Sequence, residues 1–100
     1  MSEPTIILNV TNHERAVKTS KSPEKASDRD IRHAIRYFTE DRRANKRSIK
    51  QSKSLNEYYK SEGYPTDWND IKISGHKSNV EKNNVIIRAL KNELSRRNNR

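Results

Sequence analysis

The chain has 100 residues, 29% of them apolar and 35% charged, with a net charge of +9, a pI near 10.0 and a mean hydropathy of −1.27. That size allows one small domain with a thin core. The absence of cysteine excludes a disulfide framework and a thiolate metal site, and no apolar run approaches the ~18 residues that span a bilayer. Basicity of this degree favours a polyanionic partner, nucleic acid before an anionic membrane. No signal peptide opens the sequence, so a cytoplasmic location is expected.

Residues 1–26 read as an extended arm followed by a flexible linker. "TIILNV" (Thr5–Val10) is rich in β-branched residues and suits a short strand or extended arm. "TNHERAVKTSKSPEKA" shows no clean period and contains Pro23, the signature of a linker. Residues 27–100 are expected to form a helical hairpin domain. The overall expectation is therefore a mainly α fold: two helices with an N-terminal extended arm.

The first helix opens at "SDRDIRHAIRYF". Ser27 can cap it, with Asp30 in the capping-box position and Asp28 at the positive end of the helix dipole. Ile31, Ala34, Ile35 and Phe38 then follow at the spacing of a buried stripe. The pattern runs on through Ile49 towards Tyr58 and Tyr59. Ser48, Ser52 and Ser54 weaken it, which marks residues 50–54 as a place for a break.

"SEGYPTDWNDIKISGH" reads as a sixteen-residue connection. Gly63 suits a helix C-cap and Pro65 prevents continuation. Ile71 and Ile73 alternate as in a short extended piece, closed by Gly75. The second helix is expected in "SNVEKNNVIIRALKNELSRRNN", with Ser78 and Glu81 as a capping box. Val80, Ile87, Leu90 and Leu94 form a near-heptad seam with Asn83 at its polar position, which makes a second copy of the chain a candidate partner through these four residues.

The stretch "DRRANKRSIKQSK" (residues 41–53) carries the strongest functional signal. On an ideal helix stepping ~100° per residue, nine cations share an arc of roughly 140°: Arg29, Arg32, Arg36, Arg42, Arg43, Lys46, Arg47, Lys50 and Lys53. They extend over roughly 36 Å at ~1.5 Å per residue. Any amphipathic helix moves charge off its apolar face, so a solvated surface is one reading. Like charges four apart, such as Arg32/Arg36 and Arg43/Arg47, nevertheless oppose helix formation by a few tenths of a kcal/mol each, and acids are scarce in the arc. A phosphate-binding face explains both features. Arg32, Arg36, Arg42, Arg43, Lys46, Arg47, Lys50 and Lys53 are the candidate contacts, and no free amide accompanies them to read bases. "SRRNNR" (residues 95–100) adds Arg96, Arg97 and Arg100, as a mobile basic arm or as charges complementing the helix dipole.

Other constellations carry less chemistry. Tyr58, Tyr59, Tyr64 and Trp68 gather around the connection and are expected to cap the core, with Trp68 folded beneath the loop, although such rings also stack on unpaired bases. His13, His33 and His76 lack ligand spacing, so no metal or other cofactor is expected. No nucleophile elbow accompanies the serines, and Gly63 and Gly75 make no phosphate loop, so no enzymatic activity is expected.

Two families share features with the chain. A strand followed by two helices resembles the ribbon-helix-helix repressors, but there the strand leads almost directly into the helix, whereas some sixteen residues intervene here. "DIRHAIRYFTEDRRANKRSIK" and "IKISGHKSNVEKNNVIIRALKNEL" together resemble small phage late-gene transcription activators of the RinA/ArpU type, over about two-thirds of the chain. That resemblance implies a phage or mobile-element protein acting on DNA or the transcription machinery. The family continues into a helix-turn-helix domain that has no counterpart here, so it implies an accessory regulator rather than direct promoter recognition. The expected function is thus a small non-enzymatic binder of nucleic acid, duplex DNA first, with no membrane role. The alternative is a protein-interaction module that docks its apolar stripe and the Val80–Leu94 seam on a larger host or virion protein.

Overall fold

A computed structural model describes residues 6–98 of the chain. Among them lie three α-helices: α1 (Val10–Lys21), α2 (Asp28–Ser61) and α3 (Asp67–Asn98), with a 3₁₀ turn at Pro23–Lys25. The expected mainly α fold is present. α2 and α3 form a long antiparallel hairpin, and α1 packs along one half of it in a molecule of 59 × 26 × 24 Å.

Several sequence expectations are corrected. Residues 11–21 are not a linker but most of α1. Asn9 caps this helix by accepting the Asn12 amide N–H at 2.8 Å. Its inward face is too small to register as periodic, because only Ala16 and Thr19 are buried. It is positioned instead by polar ties to α2. Arg15 grips Asp30 at 2.8 Å, His13 Nδ1 and the Tyr37 hydroxyl lie 2.9 Å apart, and His33 Nε2 is 3.1 Å from Asn12 Oδ1. Ile6–Asn9 form no strand, and Ile6 packs against the core; Thr5, the first residue of the expected strand, and the rest of the arm lie outside the described residues.

α2 opens as expected, with Ser27 Oγ accepting the Asp30 N–H at 3.1 Å. It runs unbroken through residues 50–54. It ends where Gly63 adopts φ +76°, a left-handed conformation that favours glycine. The Tyr64 N–H reaches the Tyr59 carbonyl at 2.8 Å and the Gly63 N–H reaches that of Lys60 at 3.3 Å. These are the two bonds of a Schellman motif, and the Tyr59 and Tyr64 rings pack edge-on across it.

The connection therefore spans residues 62–66, not sixteen residues. α3 absorbs the supposed extended piece at Ile71–Ile73, and Gly75, Ser78 and Glu81 all lie inside the helix. The alternation of Ile71 and Ile73 is real but does not mark a strand: Ile73 faces α2 and Ile71 is 63% exposed.

The main apolar cluster lies in the half of the hairpin that α1 covers, with Ile73 a separate buried residue nearer the turn. Ala16, Ile31, Ala34, Tyr37, Phe38, Ile87 and Leu90 form one buried cluster. Complete burial of a side chain such as Ile31 or Leu90 contributes about 1.5–3 kcal/mol. Towards the turn the interface becomes polar. Asn69 Nδ2 donates to the Ser52 carbonyl at 2.7 Å and to Asn56 Oδ1 at 2.9 Å, while Asn56 donates to Asp70 at 2.8 Å. Asn83 donates to Asp41 at 3.0 Å, and Asn45 Oδ1 lies 2.7 Å from His76 Nδ1. The seam proposed for a second copy is thereby corrected as well. Ile87 and Leu90 are buried against the chain's own helices, Asn83 is buried at its polar position, and Val80 and Leu94 are half-buried.

Candidate nucleic-acid interface

The cationic arc depends on α2 being a single rod, and it is. Its buried residues, Ile31, Ala34, Tyr37, Phe38, Asn45 and Asn56, define the side that faces α1 and α3. The basic residues project from the remaining side. Arg29, Arg32, Arg36, Arg43, Lys46, Arg47, Lys50 and Lys53 are all exposed, and Arg42 is half-buried at the border with α3.

Arg42 and Arg43 are among the candidate contacts tethered within the chain. Arg42 Nη1 donates to Asn84 Oδ1 at 2.7 Å, which fixes the guanidinium beside α3. Arg43 pairs with Glu40 at 3.1 Å, an exposed bond that contributes little to stability and is easily exchanged. Arg32, Lys46, Arg47, Lys50 and Lys53 make no hydrogen bond or ion pair within the chain among the described residues. The acid at the start of the arc, Asp28, is answered by Arg97 at 2.7 Å. Glu57 bounds the arc at its far end.

The fold extends this surface beyond α2. Arg42 meets Asn84, and Asn45 meets His76, so α3 runs antiparallel with a defined side turned towards the arc. Helical phase then places Lys77, Arg88 and Lys91 within ~60° of one another on that side, around Asn84. All three are exposed. By the same pairing Lys77 lies level with Arg47 and Arg88 with Arg36. Glu81 interrupts this second row. Sequence reasoning missed Lys77 because it began the helix at Ser78, and Arg88 and Lys91 because phase alone does not say which side of α3 adjoins the arc.

The remaining candidates separate. Arg96 and Arg97 belong to α3 and are not a mobile arm: both grip Glu93, at 2.6 and 3.0 Å, and Arg97 also reaches the Pro23 carbonyl at 3.0 Å. These bonds hold the Glu93 carboxyl below the usual range and raise both guanidinium groups. Arg100 lies outside the described residues. Trp68 is not folded beneath the loop but is 82% exposed. Among the described residues no group of three or more His, Asp or Glu side chains is placed to hold a metal ion. Among the described residues no helix is long and apolar enough to cross a membrane. A concavity of about 920 Å³ lies beside α1, lined by His13, Arg15, Lys18, Lys21 and Asp30 among others. There Arg15 and Asp30 already satisfy each other, and the Arg15 hydrogen bond lowers the Asp30 pKa.

No family model, curated protein or solved structure matches the chain.

Proposed function

We propose that the protein binds duplex nucleic acid, without sequence readout, through the exposed cations of α2 and the adjoining side of α3. The observation that carries this reading is the continuity of α2. One uninterrupted helix holds nine cations in an arc directed away from its buried side. The row is about 36 Å long, close to one turn of B-form duplex at ~34–36 Å. Guanidinium groups match phosphate geometry with paired donors. Asn84 Oδ1, beside the arc, already accepts from Arg42, and the arc itself carries no Asn or Gln, which favours contacts with phosphates over base edges. An accessory role in phage transcription, as the RinA/ArpU resemblance implies, fits such a non-specific clamp. The protein-interaction alternative loses the surfaces first assigned to it, since the apolar stripe and most of the seam are buried within the chain.

Fluorescence anisotropy with random-sequence duplex, at salt from about 50 to about 200 mM, tests the proposal. Wild-type affinity should fall steeply with salt. Replacing Arg43, Lys46 and Arg47 together by alanine should reduce the slope of log K against log salt by ~0.9 per lost phosphate contact, about 2–3 in all. No binding at low salt, or a slope that the triple variant leaves unchanged, would remove this function.

A further inference from the structure

The turn end of the hairpin differs in character from the rest of the molecule. Leu55, Tyr58, Tyr64, Trp68 and Ile71 are 41, 56, 58, 82 and 63% exposed. They lie at one tip of a 59 Å rod, in the last turns of α2, the connection and the first turns of α3. Tyr59 joins them by ring contacts to Tyr58 and Tyr64. An exposed aromatic cluster of this kind is typical of a protein contact, where Trp and Tyr dominate the energetics. The local charge is reversed as well. On a chain of net charge +9, residues 55–71 hold Glu57, Glu62, Asp67 and Asp70 against Lys60 alone. Asp70 is engaged by Asn56 and Thr66, but Glu57, Glu62 and Asp67 have no partner among the described residues.

Those carboxylates decide what the tip can meet. They repel phosphate, which disfavours both stacked nucleic acid and an anionic membrane. They also oppose packing of two tips against each other, because like charges would face across the contact. A cationic surface bearing guanidinium groups is the complementary partner, since Arg planes stack on Trp and Tyr rings while pairing with carboxylates. The chain itself presents such a surface. We infer that the aromatic, acidic tip of one copy docks on the cationic row of α2 in a second copy, with Trp68 and Tyr64 stacking on row arginines and Glu57, Glu62 and Asp67 pairing with its free cations. The row occupies residues 29–53 and the tip residues 55–71, so one molecule can use both at once. Such a contact joins two different surfaces and does not close on itself, so it generates open head-to-tail chains. It requires no nucleic acid.

Sedimentation velocity of the full chain tests this at low salt. The average mass should rise with concentration without reaching a ceiling, and return to that of a monomer at ~1 M salt, where screening is nearly complete. A tip variant, Glu57→Lys with Trp68→Ala, and a row variant, Arg43→Glu with Arg47→Glu, should each be monomeric alone. Mixed, they should form a species of two chains, because the intact tip of one meets the intact row of the other. Trp68 is the sole tryptophan, so wild-type emission should shift to the blue with concentration, a readout that needs no variant. Wild-type protein that stays monomeric with unshifted emission, or a closed dimer that survives either pair of substitutions, would overturn the inference.

Discussion

His33 shows how one side chain couples fold to pH. Its Nε2 lies 3.1 Å from Asn12 Oδ1 on α1, so the neutral ring donates there, while Nδ1 is buried with no partner. A second proton would place a donor on Nδ1 with nothing to receive it. Desolvation therefore lowers the His33 pKa, assisted by the nearby positive charges of Arg15 and Arg36 and opposed by Asp30. Below the unfolded value of 6.5 the unfolded chain binds this proton more readily than the folded one. Stability should accordingly decline as pH falls from 6.5 towards the lowered folded value, and the decline should stop once both states are protonated. Urea unfolding at a series of pH values should show this slope, and His33→Gln should flatten it. Asp30 and Glu93 act lower on the scale. Both are depressed by guanidinium partners, so their contribution is present above 3.8 and 4.5 and is lost as pH falls through the depressed values. The sequence offered no role for His33 once a metal site was set aside, because its hydrogen-bond partner Asn12 comes from α1, an element that periodicity did not reveal.

At the scale of elements, what was legible followed from chemistry local to the chain. Ser27 with Asp30, and Gly63 with Pro65, announced where α2 starts and stops because caps use adjacent residues. α1 was illegible because its buried face consists of Ala16 and Thr19, and its hold on α2 comes from side chains 15–24 positions away. The start of α3 was misplaced because Gly75 looked like punctuation. Within α3, however, a Cβ at Gly75 would meet no atom within 4 Å. Gly75→Ala should therefore stabilise the fold by ~0.5–1 kcal/mol through the higher helix propensity of alanine. Gly63→Ala also meets open space, but at φ +76° it should destabilise by ~1–2 kcal/mol. Thermal melts of the two variants should move in opposite directions, which separates a glycine that terminates a helix from one merely carried inside it.

Across the whole molecule, the functional candidates were legible to the extent that they belong to one helix. The arc on α2 could be drawn from phase alone, whereas Lys77, Arg88 and Lys91 required the pairing of Arg42 with Asn84. The seam residues Ile87 and Leu90 were correctly recognised as buried, but their partner is the same chain, since a strip of apolar residues does not encode whether its complement is internal. The fold's stability is concentrated in that cluster. Leu90→Ala should cost about 2–5 kcal/mol in chemical denaturation, for lost burial and the cavity left behind. Asn69→Ala, which leaves the Ser52 carbonyl and Asn56 with one partner fewer, should cost about 1–3 kcal/mol.

The run of paired amides beyond Asp41 has a mechanical meaning. Water can substitute for an amide partner but cannot substitute for Leu90, so solvent entering between the helices meets less resistance near Gly63 than beside α1. The stretch between the cluster and the turn should therefore be the first to admit water and exchange its amide protons, while the short connection at Gly63 keeps the two helices joined beyond it.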